Sequence, residues 1–150
     1  MEHARLSSLI EKLIAAVERR VPEYLADPVQ QGISGGNIAL CLIDDQGQVY
    51  GKMFGPDKNR RRHSFRVAWQ KASQVWITGI KTGEYEKLVF TQQIDPGPFG
   101  IIHPDFIGWE GGQPLTLADG TSLAAAFSGL TGDKDLEIVS QAAAEVLGGQ

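Results

Sequence analysis

The clearest structural pattern in the chain lies in residues 108–147, which read GWEGGQPLTLADGTSLAAAFSGLTGDKDLEIVSQAAAEVL. Two short β-prone runs, residues 114–116 and 121–127, flank an Ala118-Asp119-Gly120 turn, whose glycine can supply the positive φ of a tight hairpin. After Gly132, acidic residues open a segment with apolar side chains at helical spacing, and they complement the positive end of a helix dipole. The stretch therefore predicts a β-hairpin that leads into an amphipathic helix.

The second of these predicted strands has two different faces. Ser122, Ala124 and Ala126 leave one face almost bare, while larger side chains fill the other. A bare strand face lets another backbone, a helix or a flat ligand come close. Ser122 and Ala124 are therefore candidate ligand-binding residues.

The N-terminal part of the chain predicts a helix followed by a hairpin. Apolar residues at i, i+3, i+4 and i+7 spacing predict an amphipathic helix over residues 3–21, and residues 22–36 predict a loop that holds at most one helical turn. Residues 37–44 predict a strand that is apolar on both faces, and residues 48–54 return as its partner. A strand buried on both faces lies centrally in a sheet with helices above and below it.

The middle of the chain predicts two further helices and a long loop. Ser64 can cap a helix that continues to about residue 78, and a shorter helix follows over residues 83–92. The apolar residues between 95 and 112 follow no period, and a loop this apolar is usually functional or packed in an interface. The order of elements predicts one α+β domain, an antiparallel β-sheet flanked by helices, spanning residues 1–150 with its core in residues 37–147.

Composition excludes several classes of function. The net charge of −4 provides no general attraction to nucleic acid or to an anionic membrane. No apolar run reaches the roughly 18 residues of a membrane span, and the N-terminus has no signal-peptide core, so we expect a soluble, cytoplasmic protein. The single cysteine, Cys41, lies in a strand pattern that favours a buried structural thiol.

Several side chains are candidates for binding or catalysis. Arg60, Arg61 and Arg62 are the densest charge in the chain and could hold a carboxylate or phosphate, although a solvated turn or a subunit contact explains such a run equally well. Trp69 and Trp76 share one helical face, where a core role is the common one but a flat apolar ligand also packs well. The histidines have no spacing typical of a zinc site.

Some of these motifs resemble a known family. Gly111-Gly112-Gln113-Pro114, the Asp-Gly turn, Ser128-Gly129, Asp133-Lys134-Asp135 and Lys71-Ala72 are similar to motifs of the GlcG/HbpS-like family, which includes haem-binding proteins and the C-terminal domain of PduO-type cobalamin adenosyltransferases. The resemblance implies a profilin-like α/β sandwich of the GlcG/HbpS type that assembles as a homo-oligomer. It also makes haem the leading candidate cofactor, with no ligating residue that can be transferred.

Three functions remain open at this point. The first is binding of a small ligand, with haem or another tetrapyrrole as the leading candidate. The side chains of Trp69, Trp76, Trp109 and the three arginines would line its pocket, and His63 or His103 would be the candidate iron ligand. The second is an enzyme that acts on a small anionic metabolite, in which the arginines bind a carboxylate and His63, His103 or Lys71 moves a proton. The third is a structural accessory subunit. We expect no nucleic-acid or membrane partner.

Overall fold

The computed structural model describes residues 2–102 and 105–148, and its elements follow the predicted order with one additional short helix. In chain order they are α1 (His3–Leu25), α2 (Pro28–Ser34), β1 (Ile38–Asp44), β2 (Val49–Phe54), α3 (Lys58–Thr78), α4 (Thr82–Phe90), a 3₁₀ turn (Gly97–Phe99), β3 (Gly112–Thr116), β4 (Ser122–Ser128) and α5 (Gly132–Leu147). Among the described residues, no helix combines the length and the apolar character that crossing a membrane requires.

The four strands form one antiparallel sheet in the order β2-β1-β4-β3. This arrangement confirms the predicted α+β class and the predicted antiparallel sheet. β1 is buried at every position because it pairs on both edges and is covered by helices on both faces.

The sheet separates two layers of packed side chains. On one face α1 and α5 cover the larger side chains of β1 and β4, including Leu40 and Phe127. On the other face α3 packs through Ala68 and Ala72 against small strand residues. Burial raises the pKa of the Cys41 thiol in this second layer to about 12, as expected of a structural thiol.

The bare face of β4 is therefore covered by a helix of the same chain. Ala124 and Ala126 belong to the α3 layer and are almost fully buried, whereas Ser122 at the start of the strand is exposed. Small residues on both surfaces let α3 lie close to the sheet. Of the three occupants that the sequence left open, a helix occupies most of this face.

The start of α3 differs from the prediction. The helix begins at Lys58, and its N-cap is Asp57, whose carboxylate accepts hydrogen bonds from the N–H groups of Asn59 and Arg60. Ser64 lies inside the helix and donates to the carbonyl oxygen of Asn37 at 2.8 Å. The predicted cap at Ser64 is wrong because an earlier acidic residue already satisfies the first amides of the helix.

The N-terminal helices also differ from their predicted bounds. α1 continues past Pro22 to Leu25, because the buried side chains of Val21 and Tyr24 pack the last turn onto the core. Residues 28–34 form the short helix α2, with Asp27 as its N-cap and Pro28 at its first position.

The apolar segment before β3 folds back onto α3 and α4. The side chain of Gln74 donates to the carbonyl of Ile107 at 2.8 Å and accepts from its N–H at 2.9 Å. Thr82 donates to the carbonyl of Trp109 at 2.6 Å, and the ring of Tyr85 contacts Phe99 edge-on. Gln74 thus holds Ile107 beside α3, while Thr82 and Tyr85 hold Trp109 and Phe99 beside α4.

Candidate functional site

Short motifs from distant parts of the sequence meet at one end of the sheet. Lys71 comes from α3, Gly111 and Gly112 lead into β3, Ser128 ends β4, and Asp135 lies in the first turn of α5. These are the glycine-based and charged motifs that carry the family resemblance. Their convergence makes this end of the sheet the first candidate site.

A buried ion pair lies at the centre of this cluster. The ammonium group of Lys71 is 3.1 Å from Oδ2 of Asp135 and also donates to the carbonyl of Phe127 at 3.0 Å. The other carboxylate oxygen of Asp135 accepts from the N–H of Leu130 at 3.0 Å. The two side chains are only 2% and 3% exposed, so water hardly screens their interaction.

Gly111 provides the space in which Lys71 reaches Asp135. Its φ of +130° is favoured only for glycine, and a Cβ at this position would lie 2.7 Å from Nζ of Lys71 and 2.9 Å from Cβ of Asp135. Gly111 is therefore required by the ion pair as well as by the turn into β3.

Burial shifts both groups of the pair toward their neutral forms. Burial raises the pKa of Asp135 to about 7, although Lys71 and the amide of Leu130 favour the carboxylate. Burial also lowers the pKa of Lys71, against the attraction of Asp135 and of the more distant Glu110. Burial thus disfavours the charged form of both groups, while their mutual attraction favours it.

The shift of Asp135 predicts a pH dependence of stability. The pKa of this carboxyl is about 7 in the folded protein, against roughly 3.9 in an unfolded chain. Between these values the folded state retains a proton that the unfolded state has lost, so raising the pH favours unfolding. We expect the stability of the wild type, measured relative to Asp135→Asn, to fall as the pH rises from about 4 to about 7. Urea unfolding of both proteins at several pH values in this window measures the two free energies of unfolding. If the free energy of the wild type rose with pH relative to that of Asp135→Asn, the raised pKa of Asp135 would be contradicted.

The ion pair borders a cavity of about 390 Å³, which we call the Lys71–Asp135 cavity. Its wall combines polar and apolar groups, and includes Lys71, Asp135, Ser128, Gly129, Gly132 and Trp109. Glu110 also lines it and adds a negative charge. The cavity thus places a buried amine, a carboxyl group and a hydroxyl around one space.

A second, more apolar groove lies on the outer face of α3, and we call it the indole groove. It has a volume of about 360 Å³ and is lined mainly by Trp69, Trp76, Ile77, Val49, Ile101 and Gly47. Trp69 is 43% exposed and Trp76 is 47% exposed, so the common core role of such rings does not apply. The indole N–H of Trp76 donates to the carbonyl of Asp44 at 2.8 Å, which holds this ring in place.

The predicted ligand-binding residues fall into separate groups. Ser122 and Ala124 line a smaller cavity on the other side of Trp76, so this ring links them to the indole groove. Trp109 is 67% exposed and lies beside the Lys71–Asp135 cavity instead. The structure therefore brings Trp69 and Trp76 together and places Trp109 elsewhere.

The arginines are the largest departure from the predicted pocket. Arg60 donates to the carbonyl of Ile33 at 3.2 Å, and Arg61 donates to the carbonyl of Gly55 at 3.1 Å. Arg60 precedes Trp76 by sixteen positions in one helix, a separation of about 24 Å along the axis. Arg60 therefore binds the end of α2, Arg61 binds the turn after β2, and neither lines the indole groove, while Arg62 is exposed.

Of the two histidine candidates, the structure describes His63. His63 is exposed and lines a cavity of about 270 Å³ with Arg66, Gln70 and Trp109. Gln70 also borders the indole groove, so the two spaces are neighbours. His103 lies outside the described residues.

Sequence reasoning missed the roles of Asp135 and Arg66. Asp135 was interpreted as part of an acidic helix start and of the Asp133-Lys134-Asp135 motif, yet it is in phase with the buried positions Ile138, Val139 and Ala142. A charged residue in the apolar phase of a helix is the signal that could have identified it, and the same signal applies to Lys71. Arg66 was overlooked because it is a single arginine between the run at residues 60–62 and the tryptophans, with no motif of its own.

Among the described residues, no group of three or more His, Cys, Asp or Glu side chains is placed to hold a metal ion. No protein-family model and no curated protein matches the sequence.

Solved structures with a similar fold cover almost the whole chain. HbpS superposes with a TM-score of 0.65 at 18% sequence identity, over 94% of this chain and 88% of its own. The chain has the HbpS fold. The Klebsiella pneumoniae protein ORFY, a DUF336 protein, gives a TM-score of 0.70 at 18% identity, over 95% and 90% of the two chains.

A third solved structure extends the comparison. PduOC, which was solved as a haem complex, has a TM-score of 0.61 at 14% identity over 96% of this chain and 93% of its own. Similarity at these identities establishes the fold. The sequence motifs predicted a fold of the GlcG/HbpS type, and the structure confirms that fold.

Proposed function

We propose that this protein binds a flat, largely apolar small ligand that carries acidic groups, with haem or another tetrapyrrole as the leading candidate. The observation that supports it is the pair of half-exposed indoles in one apolar groove. Covering the exposed part of each indole would contribute on the order of 2 kcal/mol to binding. That two proteins of the same fold are HbpS and a haem complex of PduOC adds weight to haem.

The residues around the groove fit the parts of such a ligand. The indoles of Trp69 and Trp76 match an apolar macrocycle, and Arg66 in the adjoining cavity matches a propionate. His63 lines that same cavity and is a candidate axial ligand. In this proposal the acidic groups of the ligand bind to Arg66 and to the exposed Arg62. Arg66 thus takes the role that was predicted from the sequence for Arg60 and Arg61.

A haemin titration followed by absorption spectroscopy tests this proposal. We expect a shifted Soret band that saturates at a one-to-one ratio, and an increase in Kd of about tenfold or more for Trp69→Ala or Trp76→Ala, since about 1.4 kcal/mol corresponds to tenfold. Loss of the shifted band in either His63→Ala or His103→Ala would identify the iron ligand.

Two further variants make the result specific. Val29→Ala removes an exposed apolar side chain from α2 and should leave the Kd unchanged. Trp109→Ala tests whether the ligand lies beside His63 instead of over the indole groove. A broad spectrum that does not saturate and is indifferent to every substitution would reject tetrapyrrole binding.

A second candidate function is an enzyme that acts on a small metabolite. The buried Lys71–Asp135 pair beside a cavity supports it, because an amine and a carboxyl group whose pKa values burial shifts are suited to acid–base chemistry. The binding of small carboxylates and carbonyl compounds, measured as a shift in Tm of the wild type, tests this function. Absence of a shift with every such compound would count against it.

A further inference from the structure

We propose that Lys71 is a nucleophile that forms a Schiff base with a small aldehyde or ketone in the Lys71–Asp135 cavity. This inference rests on the second candidate function and is independent of what binds in the indole groove. It assigns to Lys71 a covalent role, beyond the movement of a proton.

The position of Lys71 is unusual for a lysine. The side chain is 2% exposed, lies in the buried phase of α3, and extends past Gly111 to the end of β4. Its amine donates to the carbonyl of Phe127 and to Asp135, and no third acceptor is present among the described residues. An ammonium ion can donate three hydrogen bonds, so one position on Nζ is left for a ligand.

The environment raises the unprotonated fraction of the Lys71 amine, because burial lowers its pKa. A desolvated lysine is a recognised form of activated nucleophile, because burial disfavours its charged state. Transfer of its proton to Asp135 removes both charges from the interior at once. The pair then consists of an amine beside a carboxylic acid, which are the two groups that imine formation requires.

The reaction is balanced within this pair. The amine of Lys71 attacks the carbonyl carbon, the carbon–oxygen double bond becomes a single bond, and one proton passes from the nitrogen to that oxygen, which gives a neutral carbinolamine. Asp135 donates its proton to the departing hydroxyl, which leaves as water, while the nitrogen forms a double bond to carbon. The products are one water molecule, a protonated imine on Lys71 and the carboxylate of Asp135, which now stabilises the positive charge beside it.

The cavity fits a carbonyl compound of a few carbon atoms. Its volume of about 390 Å³ exceeds the needs of such a molecule. Ser128 lines it, and its hydroxyl makes no hydrogen bond within the described part of the chain, so it is available to a polar substituent. Glu110 disfavours a highly charged anion, so we compare a neutral probe with a singly charged one.

Trapping with borohydride tests the inference on the wild-type protein. The protein is incubated with dihydroxyacetone or with pyruvate, reduced, digested and mapped by mass spectrometry. We expect the reduced adduct on Lys71 to form several-fold faster than on the exposed Lys58 and Lys81, because a lowered pKa leaves more of the Lys71 amine unprotonated. Labelling by only one of the probes would show whether the cavity selects a carboxylate.

Asp135→Asn keeps the shape and one acceptor oxygen of the side chain but cannot take up or donate the proton. We expect labelling of Lys71 in this variant to fall about a hundredfold, the lower end of the usual contribution of a general acid. A folded variant, judged by circular dichroism, that labelled as fast as the wild type would remove Asp135 from the mechanism.

Labelling of Lys71 that is no faster than that of Lys58 overturns the Schiff base. A Tm shift with a probe that leaves Lys71 unlabelled overturns the covalent step and leaves the second candidate function standing. If neither labelling nor a Tm shift occurs, both fail. Haemin titration of the same sample reports separately on the indole groove.

Discussion

Asp135→Ala is expected to lower the free energy of unfolding by about 3–5 kcal/mol, the usual effect of removing one partner of a buried ion pair. The substitution leaves the ammonium of Lys71 with only the carbonyl of Phe127, in a position where it is 2% exposed. It also leaves the N–H of Leu130 without the oxygen that accepts from it. Both losses occur where water cannot compensate them.

Urea unfolding of a set of variants measures this effect. Asp133→Ala is the matched control, because Asp133 lies in the same turn of α5 but is exposed, and we expect a change of less than about 1 kcal/mol. Lys71→Met combined with Asp135→Leu removes both charges and should recover most of the loss, as replacement of buried pairs by apolar residues often does. A cost of Asp135→Ala no larger than that of Asp133→Ala would mean that the pair is unimportant for stability.

Gly111→Ala is expected to have an effect of similar size, at least about 3 kcal/mol, or to prevent folding. Glycine at this position has a φ of +130°, and the added Cβ would lie 2.7 Å from both Nζ of Lys71 and the carbonyl oxygen of Phe127. The new methyl group would therefore displace the two groups that bind each other there. Backbone strain and loss of the ion pair act together.

Gly79→Ala separates these two causes. Gly79 has a φ of +72°, but a Cβ there meets nothing within 4 Å. Its substitution reports the backbone strain without a clash, and we expect it to cost about 1–2 kcal/mol. Thermal or urea unfolding of both variants makes the comparison. Equal costs for Gly111→Ala and Gly79→Ala would show that the contacts with Lys71 and Phe127 add nothing.

The elements that sequence reasoning placed well are those with a strong local signal. Residues 37–44 were predicted as a central strand because apolar side chains occupy both faces, and β1 is buried throughout. The hairpin around Asp119-Gly120 was predicted from its turn residues and forms between β3 and β4. The cap at Ser64 failed because several residues can supply a capping oxygen, and only the path of the chain selects Asp57.

The buried face of α3 was harder to predict. The apolar stripe was expected to include Trp69 and Trp76, whereas the buried face carries Ser64, Lys71 and Gln74. The sheet opposite α3 is lined by small residues such as Ala126, and the helix lies too close for an indole. Hydrophobicity therefore predicts the buried alanines of this face correctly but places the two indoles there wrongly.

By itself the sequence determined the α+β class, the positions of the strands and the motifs that resemble the GlcG/HbpS-like family, because periodicity, turn residues and short motifs are local properties. Only the tertiary structure decided that Lys71 meets Asp135, since these residues are 64 positions apart and reach each other only where Gly111 leaves room. It also separated Arg60 from the indoles and left Trp69 and Trp76 at the surface. A site is a set of distances between residues far apart in the chain, and those distances follow from packing.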